Sequence, residues 1–159
     1  MAELHEGFLE VLERAECLER MRTKAVGRVA FTDGALPAIR PVNYVMYGEA
    51  VVFRTNRESR LAAGTTDAVV AFEVDDLDEK QHVGWSVVVV GLAEEVTRES
   101  DLLRISQLGL APWADGDRQR FVKIVPAYVT GRRIASNGQH APSTAGEARR
   151  RLSDQLQRQ

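Results

Sequence analysis

Four polar residues that suit anion binding lie within six positions of the chain: Thr55, Arg57, Ser59 and Arg60. The residues before them are typical of a strand and the residues after them of a short helix, so all four lie at a strand-to-helix junction. Free backbone N–H groups at a helix start, hydroxyl groups and guanidinium groups all favour a phosphate. The alternative is a solvated turn in which Ser59 or Asn56 caps the helix, and composition alone favours this alternative.

A second polar stretch lies upstream, on a strand that proline residues make irregular. Apolar and polar residues alternate from Val42 to Tyr47, which is typical of a strand with one core face. Pro37 and Pro41 cannot donate to a strand ladder, so they predict an edge or a bulge whose backbone is free to meet a ligand. Arg40 and Asn43 add side-chain polar groups that suit a heterocycle.

The remaining strands follow from alternation and from turn residues. Asp33-Gly34 and Gly48-Glu49 predict tight hairpins. Four consecutive valines, 87–90, predict a strand buried on both faces, and Gly91 predicts a bend or bulge in that strand. The six predicted strands are 26–32, 38–47, 50–53, 68–75, 84–97 and 121–134. Six strands at short spacing indicate a mainly β, antiparallel domain that is closed or half-closed.

The helical segments are few and short. Apolar residues at three- and four-residue steps predict an N-terminal helix from about Leu4 to Met21. Shorter helices are predicted at 61–66 and 99–108, and the acidic segment 75–80 is interpreted as a solvated loop. The chain therefore divides into a barrel domain at 1–134, with its N-terminal helix within 1–22, and a flexible C-terminal tail at 135–159.

Composition narrows the class of protein. The chain has 159 residues, of which 44% are hydrophobic and 28% charged, which fits one globular domain. A net charge of -2 gives no reason to expect nucleic acid or an acidic membrane as a partner. The sequence shows no membrane-spanning apolar run, no signal peptide and a single cysteine, Cys17, so we expect a cytoplasmic protein. The histidine and cysteine spacing predicts no metal site.

Six short motifs then occur in a familiar order along the chain. They are Val26-Gly-Arg28, Arg40-Pro-Val-Asn-Tyr44, Phe53-Arg-Thr55 with Arg60-Leu61, Phe72-Glu-Val-Asp75, Gly84-Trp-Ser-Val87 and Gly131-Arg-Arg-Ile134. Together they resemble the pyridoxamine 5′-phosphate oxidase-like family of flavin-binding split β-barrel proteins. The resemblance covers roughly residues 13 to 134.

This resemblance implies a six-stranded split barrel that forms a homodimer, with two FMN sites at the dimer interface. By resemblance, Thr55, Ser59 and Arg60 bind the phosphate, and the segment Arg40, Pro41, Val42 and Asn43 runs beside the flavin ring and ribityl chain. Trp85 and Ser86 resemble a further contribution to the same cleft. Trp113 and Arg132 or Arg133 resemble the segment that reaches across from the second subunit.

The chain also departs from the true oxidase. Val45 stands where the oxidase has a lysine that helps to hold the substrate phosphate, and the late Arg and His of the oxidase have no clear counterpart after Trp113. We therefore expect an FMN-dependent oxidoreductase that acts on another small-molecule electron donor or acceptor, with no side chain assigned as catalytic. The alternatives are an F420-dependent reductase, or a carrier or sensor that binds flavin or haem without turnover.

Overall fold

The computed structural model describes residues 8–110 and 119–135. The strands are β1 (Phe8–Leu12), β2 (Val26–Asp33), β3 (Leu36–Tyr47), β4 (Ala50–Asn56), β5 (Ala68–Asp78), β6 (Val83–Glu95) and β7 (Gln119–Ala135). The helices are α1 (Arg14–Met21), α2 (Arg60–Gly64) and α3 (Glu99–Ser106). None of the helices in this part of the chain is long and apolar enough to cross a membrane.

Six of the strands close into a ring. The sheet order is β1-β7-β4-β3-β2-β5-β6, and a further pairing of β7 with β6 closes β2 to β7 upon themselves. All pairings are antiparallel. The predicted six-stranded antiparallel barrel is therefore confirmed, and β1 is a seventh strand attached outside the ring.

The N-terminal segment differs from its prediction. The predicted helix from Leu4 to Met21 is wrong at residues 8–12, because Phe8–Leu12 forms strand β1, and of the described residues in this range only Arg14–Met21 are helical. β1 pairs with the end of β7, with Phe8 opposite Ala135 and Leu12 opposite Gly131. The apolar spacing that suggests a helix here serves a strand instead, since β7 offers a free edge for backbone hydrogen bonds. Residues 1–7 lie outside the described part.

The core fills the ring and is covered at one end by α1. Val29, Phe53, Phe72, Val87 and Val89 point inward and are fully buried. Cys17, Leu18 and Met21 of α1 pack into the same cluster. A smaller cluster lies outside the ring, where Val52 of β4 packs against Val96 and against Ile105 of α3. Burial of these apolar side chains is the main force that holds both helices to the barrel.

The predicted turns are confirmed and two strand interpretations are corrected. Gly34 and Gly48 adopt positive φ angles of 64° and 61° in their hairpins. The register of β6 and β7 shifts between Val90 and Gly91, as a bulge requires. The acidic segment is not all loop, since β5 continues to Asp78. Of the four valines, only 87 and 89 lie in the core, because 88 and 90 face outward and are half-buried.

Candidate functional site

The ring opens where β3 and β4 separate. Tyr44–Tyr47 of β3 pair with Ala50–Phe53 of β4. Beyond Phe53, β4 remains paired with β7, whereas the first part of β3, from Leu36 to Asn43, pairs with β2 alone. Within the described residues, 36–43 of β3 therefore have a strand on one side only. We call this opening between β3 (36–43) and β4 (54–56) the split.

The predicted edge strand with its prolines lies along the split. Arg40, Pro41, Val42 and Asn43 all belong to the part of β3 that has one strand neighbour. Val42 points into the core, whereas Arg40 and Pro41 are exposed and Asn43 is half-buried. The Arg40 guanidinium donates to the backbone carbonyl of Ile39 at 3.0 Å. Backbone polar groups on the open side of these residues are available to a ligand.

The junction between β4 and α2 is built around two hydroxyl groups. Thr55 Oγ1 and Ser59 Oγ lie 2.8 Å apart, and Ser59 Oγ accepts the backbone N–H of Ala62 at 3.0 Å. Ser59 therefore caps α2, as the alternative interpretation of the sequence expects. The N–H groups of Arg60 and Leu61 precede the first helical hydrogen bond, so they remain available as donors. With only five residues, α2 contributes little macrodipole.

The two predicted arginines of this junction point in different directions. Arg60 Nη1 lies 3.1 Å from Asp33 Oδ2 on the β2–β3 hairpin, and the Arg60 side chain is 80% exposed. Arg57 Nη2 lies 2.8 Å from Glu95 Oε1 on β6. Arg60 thus ties α2 to the hairpin that carries the open part of β3, while Arg57 faces α3 and β6. Exposed ion pairs of this kind are weak, so a phosphate can compete for Arg60.

Trp85, Ser86 and Arg132 lie away from this junction. Trp85 belongs to the core and carries the Arg20 guanidinium 5.5 Å above its ring. Ser86 faces outward from β6, opposite Asp75 on β5 and Arg132 on β7. In the single chain, Ser86 and Arg132 are thus register neighbours on the outer face of the barrel. Trp113 lies outside the described residues.

Two arginines near the junction are not among the site residues predicted from the sequence. Arg54 precedes Thr55, is half-buried and lies 5.3 Å from the centre of the Phe121 ring, and its Nε is buried without a partner among the described residues. Arg120 lies opposite Thr55 in the β4–β7 ladder, and its Nε is likewise unpartnered. The position of Arg54 beside Thr55 is a usable signal. Arg120 has no such signal in the sequence, since only the pairing of β4 with β7 places it opposite Thr55.

Part of the outer face of the barrel is apolar. A row of cross-strand neighbours runs over five strands. Beside this row, Leu92 of β6 pairs with Val69 of β5 and with Val125 of β7, and all three side chains are exposed. The row consists of Ile39, Ala30, Ala71, Val90 and Tyr128. We call these eight residues the outer sheet face. An exposed apolar surface of this kind is a candidate interaction site.

A small ionic cluster lies beside the outer sheet face. Arg28 Nη1 lies 3.0 Å from Glu73 Oε2 and 3.6 Å from Asp75 Oδ2. Burial raises the pKa of Glu73, and the neighbouring Asp75 carboxylate raises it further, while Arg28 acts in the opposite direction. Two carboxylates thus share one guanidinium, which leaves this cluster with a net negative charge when both are ionised.

The fold and the split define an antiparallel split β-barrel with an open strand edge beside a polar strand-to-helix junction. The family model described as pyridoxamine 5′-phosphate oxidase matches residues 13–133. The chain belongs to this family, and the resemblance found in its motifs is confirmed.

Known relatives agree with this assignment. An uncharacterized protein of Mycobacterium tuberculosis is 41% identical over 131 residues, which cover 79% of this chain and 86% of that protein. The solved structure of the FAD binding protein from Mycobacterium smegmatis is 33% identical with a TM-score of 0.71, and the match covers 79% of this chain and 100% of that one. A conserved protein of unknown function from Corynebacterium diphtheriae is 32% identical with a TM-score of 0.68, over 80% and 98% of the two chains.

Proposed function

We propose that this protein is a flavin-binding oxidoreductase that holds FMN in the split and works as a homodimer with its cofactor sites at the interface. The observation that carries the proposal is the open edge of β3 beside the hydroxyl-rich junction of β4 and α2. The similar protein from Mycobacterium smegmatis binds FAD, which supports a flavin as the cofactor class.

The residues around the split fit a phosphate-bearing flavin. Arg60, the Thr55 and Ser59 hydroxyls and the first N–H groups of α2 supply donors for a phosphate. Half-buried Arg54 has no anionic partner among the described residues, and an anion at this end of β4 would neutralise it. Arg40, Pro41, Val42 and Asn43 would hold the ring and ribityl chain along the open backbone edge.

A bound flavin supplies the electron-transfer chemistry, and the chain supplies binding and orientation. Backbone groups of β3 near Pro41 and Asn43 would hydrogen-bond the ring and so tune its electronics. We assign no side chain of this chain as a proton donor or acceptor in the reaction.

The outer sheet face supports the proposed homodimer. Tyr128, Val69 and Ile39 are 70%, 72% and 60% exposed in the single chain. A second copy would remove this apolar surface from water. Trp85, Ser86, Trp113 and Arg132 belong to the proposal as residues that complete each site, with Trp113 and Arg132 reaching the partner's flavin.

The substrate is proposed to differ from pyridoxamine 5′-phosphate. Val45, at the position of the oxidase lysine, packs against the cluster of Val52, Val96 and Ile105 under α3. An apolar side chain in this place offers no charge to a substrate phosphate. The reaction is therefore proposed as electron transfer between the flavin and another small molecule.

The decisive experiment is a titration of the cofactor-stripped protein with FMN, FAD and F420 in parallel, followed by fluorescence. We expect FMN to bind most tightly and its fluorescence to be quenched. Tighter binding of FAD or F420 would support the proposed site but assign a different cofactor to it. Binding of none of the three would contradict the proposed function, and bound flavin that no electron donor reduces would indicate a carrier or sensor.

A further inference from the structure

A cavity lies between α3 and the adjoining ends of β4, β6 and β7. Its volume is about 390 Å³. One wall is apolar and consists of Val96, Leu102, Leu103 and Phe121. A cavity of this size with an apolar wall and few polar groups suits a small organic molecule.

The polar side of the cavity is formed by two arginines that share one carboxylate. Glu95 Oε1 lies 2.8 Å from Arg57 Nη2, and Glu95 Oε2 lies 3.4 Å from Arg120 Nη1. Two guanidinium groups thus depend on one glutamate, and the contact with Arg120 is long for a charged hydrogen bond. Glu99 also lines the cavity but is exposed at the start of α3.

Arg120 has hydrogen-bonding capacity that its surroundings do not fill. Its side chain is 10% exposed. Its Nη2 donates to the carbonyl of Ala62 and to Thr66 Oγ1, but its Nε is buried with no partner among the described residues. A buried donor without an acceptor is costly, and the same guanidinium can donate to a better-placed anion from Nη1, whose contact with Glu95 is long.

The cavity is separate from the split. Its lining comes from α3 and the segments around β4, β6 and β7, and includes no residue of β3. A molecule here would occupy different walls from a flavin along 36–43. The cavity and the proposed phosphate site adjoin at the junction of β4 and α2, where Arg120 lies opposite Thr55, so the two proposals are tested with different ligands.

We propose that the cavity is a second ligand site, which takes a small organic anion with an aromatic or branched apolar body. The carboxylate or phosphate of this molecule lies between Arg57 and Arg120, and its apolar body lies against Phe121, Leu102 and Leu103. Glu95 positions the two guanidinium groups between which the anion binds.

The test is a titration of the full-length protein as purified, followed by NMR of the backbone amides. The probes are benzoate, its neutral analogue benzamide and the cation benzylamine. Benzoate is expected to shift the amides of Val96, Leu102 and Phe121 in a saturable way, and to bind at least about tenfold more tightly than benzamide, since hydrogen bonds to charged groups contribute this much.

Variants separate the site from a general effect of charge. Arg57→Gln is expected to weaken benzoate binding about tenfold, by the same loss of a charged hydrogen bond. Arg14→Gln is the matched control, because Arg14 is also an exposed arginine paired with one glutamate, Glu49, away from the cavity. Arg120→Lys keeps the charge, removes Nε and is expected to weaken binding as well; Arg57→Gln decides the matter if this variant does not fold.

Several results would overturn the proposal. They are equal binding of benzamide or benzylamine, unchanged binding to Arg57→Gln, equal weakening in Arg14→Gln, and no saturable shift at the amides of the cavity. Success or failure of the flavin titration changes none of these outcomes.

Discussion

At the scale of single residues, the arginines around the end of β4 differ in what neutralises them. Arg60 pairs with Asp33, and Arg57 and Arg120 share Glu95. Arg54 has a ring contact with Phe121 and no acidic partner among the described residues. The exposed pair of Arg60 is easily broken, which suits a residue that must turn to a ligand.

Substitution of Arg60 tests the phosphate assignment. Arg60→Ala is expected to weaken FMN binding by at least about tenfold, because one charged hydrogen bond to the phosphate is lost. Fluorescence titration measures the affinity. Arg22→Ala is the control, since Arg22 bonds the carbonyl of Gly48 at the far end of β3. Unchanged affinity in Arg60→Ala would remove this residue from the site.

The carboxylate of Glu73 gives a prediction about pH. Its pKa is raised above the ordinary value of 4.5, chiefly by burial. At pH values between 4.5 and the raised pKa, Glu73 therefore holds a proton in the folded chain that it has lost in the unfolded chain. The free energy of unfolding falls as the pH rises through this range. Lowering the pH from 7 toward 5 should stabilise the natural protein relative to Glu73→Gln, as measured by urea unfolding at each pH.

The control for this comparison is Glu94→Gln. Glu94 lies on β6 and pairs with Lys123, away from the cluster of Arg28, Glu73 and Asp75. The stability difference between the natural protein and Glu73→Gln should depend on pH more strongly than the difference for Glu94→Gln. Parallel curves for the two variants would contradict the assignment of this proton to Glu73.

At the scale of elements, a buried hydrogen bond adds to the apolar contacts that hold α1 to the barrel. The Tyr44 hydroxyl donates to the carbonyl of Met21 in the last turn of α1, where no helical N–H can reach it. The Tyr44 ring packs edge-on against Phe72, with 4.8 Å between the ring centres. The hydroxyl is therefore separable from the ring, which stays in the core.

Tyr44→Phe should lower the free energy of unfolding by about 1–3 kcal/mol, because it leaves a buried carbonyl without its donor. Chemical unfolding measures this value. Tyr47→Phe is the matched control, since its hydroxyl bonds Asp101 at 2.9 Å in a partly exposed place where water can replace it. Equal losses in the two variants would contradict a special role for the bond to Met21.

Much of this element pattern could be predicted from sequence, because alternation and turn residues are local signals. The hairpins at Gly34 and Gly48 and the bulge at Gly91 are examples. β1 could not be predicted, since its helix-like spacing is local but its partner, the end of β7, is far along the chain. The same limit applies to the site: Thr55 and Ser59 stand close in sequence, whereas Arg120 reaches them by strand pairing.

At the scale of the whole molecule, the apolar outer sheet face gives the test of the homodimer. Val69→Glu and Tyr128→Glu place charges on this face and should each weaken dimerisation by at least about tenfold, as loss of a central contact does. Light scattering over a range of concentrations measures the association. Flavin affinity should fall together with the dimer, if each site draws residues from both copies.

Leu108→Glu is the control for this experiment. Leu108 follows α3 and is 44% exposed, so it carries a similar change outside the outer sheet face. A protein that is monomeric without any substitution would contradict the homodimer and the shared site together. If both charged variants still dimerise as the natural protein does, the interface lies on another surface.

The pairing of β1 with the end of β7 also orders events during synthesis. Phe8 pairs with Ala135, so β1 cannot form its ladder with β7 until the end of β7 has been translated and has left the ribosome. Until that point, the apolar side chains of Phe8, Leu9 and Val11 belong to a segment that has not yet joined the sheet. Such a segment promotes aggregation in a crowded cell. β1 is therefore a segment of the nascent chain to which we expect a chaperone to bind.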